Sequence, residues 1–215
     1  MIKAVIIDFD DTLVQTARFR QELFKEVVQS WTGLSDEEVA LDFGRSFHSL
    51  RHMIDAFIDA NNYDAFIQYY KNIMGEKPTE PCMGAERFLQ RLHQRQIPIV
   101  ILSSSIHELI EFDLDVLGFL KMIDHVFDAE MVQSPKPDSR ALHPPIEWLQ
   151  KNYNINPSEC VYVGDALSDM ECSHGQMDFF AVTTGKVSRQ EFISHGVPEN
   201  KIADNLDDLY NILFG

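Results

Sequence analysis

The sequence predicts an α/β fold, with a three-layer core on a mainly parallel sheet and a small α-helical cap inserted after the first strand. Three observations carry this expectation. Short continuous apolar runs alternate with stretches of helical periodicity, the pattern of right-handed crossovers over a parallel sheet. A Phe-rich block between the first and second runs has helical spacing and no strand alternation. Acids and hydroxyls gather just after the apolar runs, where the loops of an open parallel sheet converge on a ligand.

Residues 5–8 read as a fully buried strand because the apolar run is unbroken up to its acid. From Ala17 to about Trp31 the apolar residues Phe19, Leu23, Phe24, Val27, Val28 and Trp31 recur at helical spacing, and "TGLSDEE" supplies a turn and a fresh helix start. Further helical patterns fill 36–75 and stop at "GEKPTEPCMG", where Pro and Gly mark a connection. The chain therefore divides into a core of 1–14 and 81–215 and a helical cap of 15–80. Beyond the cap come the strand-like runs "IPIVILS", "MIDHVFDA", "CVYVG" and "DFFAVTT", each followed by a helical pattern. Ser105 and Glu108 stand in the S-x-x-E arrangement that predicts a capping box on the helix after the second strand.

Composition excludes several classes. A net charge of -16 over 215 residues argues against nucleic acid as a partner, since phosphate backbones are bound by excess Lys and Arg. No apolar run approaches the roughly 20 residues a membrane helix needs, so no membrane partner is expected. The first residues, "MIKAVIIDFD", lack a secretory pattern, and a cytoplasmic location is expected. Cys82, Cys160 and Cys172 are odd in number and have no C-x-x-C spacing, which suits reduced structural thiols better than a disulfide framework or a zinc site. A monomer, or at most a weak homodimer, is adequate because no apolar helix is left unexplained.

After the first strand stand Asp8, Asp10 and Thr12; after the second, Ser103, Ser104 and Ser105; after the third, Lys136; and after the fourth, Gly164, Asp165 and Asp169. Clustered carboxylates repel and raise one another's pKa, so a cation or a chemical task must offset them. Phosphoryl transfer needs a nucleophile, neutralisation of the equatorial oxygens and a proton for the leaving group. Asp8 at the strand end is the candidate nucleophile, and Asp10, two residues on and on the same side of an extended chain, the candidate acid and base. Mg2+ prefers about two carboxylates plus water and phosphate oxygen. Asp8 and Asp165 can supply that pair, with Asp10 the neighbouring acid on the same loop. Ser103, beside Ser104, and Lys136 are left to hold phosphate oxygens together with amides at a helix N-terminus. The partner this chemistry calls for is a small phosphorylated metabolite.

The motif D-x-D-x-T in "DFDDT", an apolar strand ending in Ser103, a lysine within "PKP" and G-D-x-x-x-D in "GDALSD" resemble, in order and spacing, the four motifs of the haloacid dehalogenase superfamily. The resemblance covers nearly the whole chain, with 15–80 in the place of that superfamily's helical C1-type cap, and the similarity is greatest to its phosphoglycolate phosphatase and β-phosphoglucomutase-like branch. It implies a Rossmann-like core and a Mg2+-dependent phosphatase working through an aspartyl-phosphate. It further implies Asp8 as nucleophile, Asp10 as acid and base, Thr12 and Ser103 as phosphate and turn contacts, and Lys136 as charge partner. By the same resemblance Asp165 is a metal ligand, and Asp169 binds metal through water or orients Lys136. Retention of Asp10 points to phosphate rather than halide chemistry, because the superfamily's dehalogenases lack that acid. The chain departs from the pattern at Asp11, where many members have Gly, and at Gln15-Thr16, where many of this branch have Asp-Ser. Asp11 has no assigned task and is expected on the surface.

In the cap, Arg45, His48 and His52 fall at i, i+3 and i+7, with Arg51 beside them. They read either as a cationic grip on the substrate or as a solvated face opposite the stripe Phe43, Phe47, Leu50, Ile54 and Phe57. Other readings of the whole chain are a phosphomutase, a receiver-like signalling domain and an idle relative. A receiver places its phosphorylated acid after a central strand and needs no helical insertion. An idle relative would have lost a motif carboxylate or lysine, and none is missing.

Overall fold

The computed structural model describes residues 1–35, 57–76, 79–132 and 134–215. Six parallel strands make the central sheet: β1 (Ala4–Ile7), β4 (Ile99–Leu102), β5 (His125–Phe127), β6 (Cys160–Gly164), β7 (Asp178–Val182) and β8 (Ile202–Ala203), in the order β5-β4-β1-β6-β7-β8. A separate antiparallel pair joins β2 (Val14–Gln15) to β3 (Glu80–Pro81). The described helices are α1 (Ala17–Thr32), α2 (Tyr63–Glu76), α3 (Ala85–Gln94), α4 (His107–Val116), α5 (His143–Tyr153), α6 (Leu167–Ser173), α7 (Arg189–Ser194) and α8 (Leu206–Phe214).

β1 lies at the centre because it is apolar on both faces, and all four of its residues are fully buried. Its Val5 and Ile7 pack with Phe88 and Leu89 of α3, Ile110 of α4 and Leu206 and Leu209 of α8. Ala4 and Ile6 face the other way, onto Leu149 of α5, Cys172 of α6 and Phe192 of α7. Helix, sheet and helix thus form the three layers the alternation predicts, in a Rossmann-like arrangement. Ile7 pairs with Ile101 on one side and Val163 on the other, so β1, β4 and β6 end side by side and release their loops at one edge.

A third apolar cluster joins Val27 and Val28 of α1 to Phe66, Tyr70 and Met74 of α2 and to Ile106 and Leu109 at the start of α4. Residues Arg45, His48, Arg51 and His52, with the proposed stripe from Phe43 to Ile54, lie outside the described residues. Among the described residues no helix is long and apolar enough to cross a membrane. Cys82, Cys160 and Cys172 are free and buried; burial pushes their thiols up to about 12, 11 and 12 respectively, so they stay protonated and unreactive.

One local expectation is corrected. α4 starts at His107 with Ile106 as its N-cap and no side-chain cap, so Ser105 and Glu108 form no capping box. The Ser105 hydroxyl turns instead to a carboxylate of the first loop. A carboxylate can only accept, so the hydroxyl that reaches it donates its proton there, instead of accepting a first-turn N–H as a cap would.

Candidate active site

Asp8 follows β1 directly, and its N–H donates to the Val163 carbonyl at 2.9 Å, which extends the β1–β6 ladder by one residue and aims the side chain out of the sheet edge. Asp165 follows β6, and Asp169 sits in the first turn of α6, where its carboxylate accepts the Ala166 N–H at 3.1 Å. The Lys136 ammonium, on the loop after β5, donates to Asp8 at 2.6 Å and to Asp169 at 2.7 Å. Tyr162 donates its hydroxyl to the same Asp169 oxygen at 2.8 Å. Thr12 donates to Asp165 at 2.9 Å.

The Ser103 N–H donates to the Phe127 carbonyl at 2.9 Å, and its hydroxyl accepts the Ser105 N–H at 2.9 Å. Both hydroxyls then converge on one oxygen of Asp10, from Ser105 at 2.6 Å and Ser103 at 3.2 Å. Ser104 stands half-buried between them. Asp8, Asp10, Thr12, Ser103, Lys136, Asp165 and Asp169 therefore share one edge of the sheet, each held by at least one side-chain hydrogen bond to another of them. The candidate cap residues Arg45, His48 and His52 fall outside the described residues.

Charge does not balance here. One oxygen each of Asp8, Asp165 and Asp169 lies within 4.8 Å of the others, and all three residues are buried. Burial holds the Asp8 carboxyl well above the usual carboxylate range, against the pull of Lys136 and with the push of Asp169, Asp165 and Asp10. Burial, then the charge of Asp169, lifts Asp165 to about 7. Burial opposes the charge on Lys136, but Asp169 and Asp8 outweigh it and hold the ammonium protonated far above its ordinary value. One lysine thus faces three acids. Such an all-oxygen set is what a hard cation takes, and Mg2+ fits Asp8 and Asp165 as carboxylate ligands, with Asp169 already engaged by Lys136, Tyr162 and Ala166.

Two glycines let the acids come this close. A Cβ at Gly164 would overlap the Asp169 carboxyl group, and one at Gly185, in the loop after β7, would overlap the carboxylate of Asp165. Gly185→Ala is therefore expected to displace Asp165, and so to lose most of the rise in Tm that is expected of the wild type on adding Mg2+. An unchanged rise, read by differential scanning fluorimetry, would take Asp165 out of the metal set.

Asp11 is not the surface residue expected. It is half-buried at φ +56°, and its carboxylate accepts the Thr16 N–H at 2.9 Å. Tyr162 is a contact that sequence reasoning left out, and Ser105, expected as a helix cap, is a partner of Asp10 instead. Ser105 had a signal, a third consecutive hydroxyl after an apolar strand, whereas Tyr162 lies within a buried strand and gave none.

Residues 5–182 match the sequence profile of a family described as haloacid dehalogenase-like hydrolase. The chain belongs to this family. Among relatives, this hydrolase is 27% identical over 175 residues to a Clostridium perfringens protein provisionally named pyrophosphatase PpaX, covering 79% of this chain and 78% of that one. It is 23% identical over 183 residues to a phosphoglycolate phosphatase of Photobacterium profundum, covering 79% and 77%. In three dimensions it resembles CbbY of Rhodobacter sphaeroides, solved in complex with phosphate, with a TM-score of 0.74 at 17% identity over 97% of this chain and 96% of that one. That last likeness establishes the shared fold.

Proposed function

We propose that this hydrolase is a Mg2+-dependent phosphatase that cleaves a small phosphorylated metabolite through an aspartyl-phosphate on Asp8. The observation that carries the reading is the placement of Asp8 between Lys136 and Asp165, with Asp10 held on the neighbouring serine loop. The names of the two relatives, a pyrophosphatase and a phosphoglycolate phosphatase, support the same class of chemistry.

In this reading an Asp8 oxygen forms a bond to phosphorus as the bond to the leaving oxygen breaks. Asp10 gives its proton to that leaving oxygen, then takes a proton from the water that attacks phosphorus and releases Asp8. Ser103 and Ser105 hold Asp10 to one side of the nucleophile for both half-reactions. Lys136, tied to Asp169, stays charged across the working pH range and meets the phosphoryl oxygens together with Ser103, Ser104 and Thr12. Mg2+, when bound to Asp8 and Asp165 with Asp10 and Asp169 close by, would neutralise the dianion that those acids otherwise repel.

The division into a core of 1–14 and 81–215 and a cap of 15–80 belongs to the same proposal, with Arg45, His48 and His52 on the cap as candidate substrate contacts. So does a diffusible cytoplasmic substrate met by a monomer or weak homodimer, with no nucleic acid at a net charge of -16.

The test is a panel of phosphorylated sugars, phosphoglycolate, nucleotides and lipid-precursor phosphates, followed by free phosphate release with Mg2+ and with EDTA. Release from at least one small ester, lost in EDTA, is expected. Isomer formation in place of release would make the protein a phosphomutase, and no turnover of any ester would overturn the reading.

A further inference from the structure

Asp11 stands where the family resemblance expects glycine, and its place in the structure carries two evident disadvantages. Its φ of +56° is a conformation that glycine adopts more readily than any residue with a Cβ. Its carboxylate also adds a like charge beside Asp165. What offsets them is the Thr16 amide. Thr16 is the N-cap of α1 and is 2% exposed, it brings no side-chain cap of its own, and its N–H donates to Asp11 at 2.9 Å. A buried amide without a partner is unfavourable, and a carboxylate is the strongest acceptor the chain could offer it.

The position matters because the chain passes between core and cap here. Gln15 pairs with Glu80 and Val14 with Pro81, and the Gln15 side-chain amide donates to the Pro81 carbonyl at 3.1 Å. The Cys82 N–H donates to the Leu13 carbonyl at 2.9 Å, and just before β3 the Thr79 hydroxyl donates to the buried Asp113 of α4 at 2.7 Å. The two linkers are thus one paired unit, and whatever fixes Thr16 fixes the other side as well. Asp11 itself is locked to the first loop, since its N–H donates to the Val14 carbonyl at 2.7 Å. The neighbouring acids divide the work: Asp10 is held by the serine loop of the core, and Asp11 holds the linker.

We propose that Asp11 is a positioning residue that clamps the paired linkers to the nucleophile loop and so sets how the cap seats over the site. This rests on the reading of 15–80 as a cap and of Asp8 as the nucleophile. Glycine at 11 would relieve the backbone but leave the Thr16 amide buried and unpaired, whereas asparagine tolerates the same φ and still offers a carbonyl oxygen.

The experiment compares the full-length wild type with Asp11→Gly and Asp11→Asn by hydrogen exchange of the peptide containing Thr16 and by turnover of p-nitrophenyl phosphate. For Asp11→Gly, exchange at Thr16 is expected to rise about tenfold while β1 and β6 stay protected, and turnover to fall about tenfold, the scale of one hydrogen bond to a charged group. For Asp11→Asn, both are expected within about threefold of the wild type, the scale of a retained neutral bond. Unchanged Thr16 exchange in Asp11→Gly, or equal damage in Asp11→Asn, would overturn the clamp. Because exchange is read without catalysis, a wild type that fails to hydrolyse the probe would leave the phosphatase reading to the ester panel and the clamp to be decided by Thr16.

Discussion

Replacing Asp8 by Asn is expected to lower turnover about 10⁴-fold or more while leaving the fold intact. An amide has nearly the shape of the carboxylate and keeps an oxygen for the Lys136 ammonium, now 2.6 Å from Asp8, so positioning survives and nucleophilicity does not. Stability moves the opposite way from activity. Burial already holds the Asp8 carboxyl well above its ordinary range, so at neutral pH the ionised form weighs against folding, and a neutral amide removes that penalty. The metal-free variant is therefore expected to melt at or above the wild-type temperature at pH 7.5. Acid quench after brief exposure to a phosphate-labelled substrate checks the chemical half: the wild type should carry label as a hydroxylamine-sensitive acyl phosphate, and the variant none. A variant that still turns over would transfer the nucleophile's role elsewhere.

The sequence made the core and the edge that gathers the candidate site residues legible because both are written in local patterns. A fully buried parallel strand is a continuous apolar run, and residues ending such runs are forced to one edge by the crossover rule, which is why Asp8, Ser103 and Asp165 could be placed together from their neighbours alone. The short pieces escaped. β8 is two residues long, and β2 and β3 owe their existence to each other across 66 positions, so neither has periodicity to read. Side-chain partnerships escaped for another reason. Ser105 had two candidate partners, a first-turn N–H of its own helix to accept from and the Asp10 carboxylate to donate to, and only the folded geometry decides between them. Asp11 was misplaced because a non-glycine residue at positive φ is unfavourable in isolation, and what offsets it, the Thr16 amide, belongs to tertiary structure.

The second large effect concerns the cation. Lys136→Met removes the lysine that stands between two buried acids, Asp8 and Asp169, each within 2.7 Å of its nitrogen. In the wild type the lysine's folded pKa is raised, so its stabilisation is fully present below the ordinary lysine value near 10.4 and is lost only as pH climbs through the folded value. Across pH 5 to 8 it is constant. Without it, Asp8 loses the charge that draws its pKa down, and the folded state then binds more protons than the unfolded state from about pH 4 upward. Stability must fall as pH rises through that window, by about 1.4 kcal/mol per pH unit for each proton so retained. The destabilisation is expected to be small at pH 5, where the acids neutralise themselves, and about 3–5 kcal/mol at pH 8, the scale of breaking a buried ion pair. Mg2+ should restore part of the loss at pH 8 and almost none at pH 5, since it competes with the same protons. Thermal melts at the two pH values, with and without Mg2+, measure all four quantities. A drop in Tm of equal size at both would mean that Lys136 contributes chain packing alone, and that the charge balance drawn for the site is wrong.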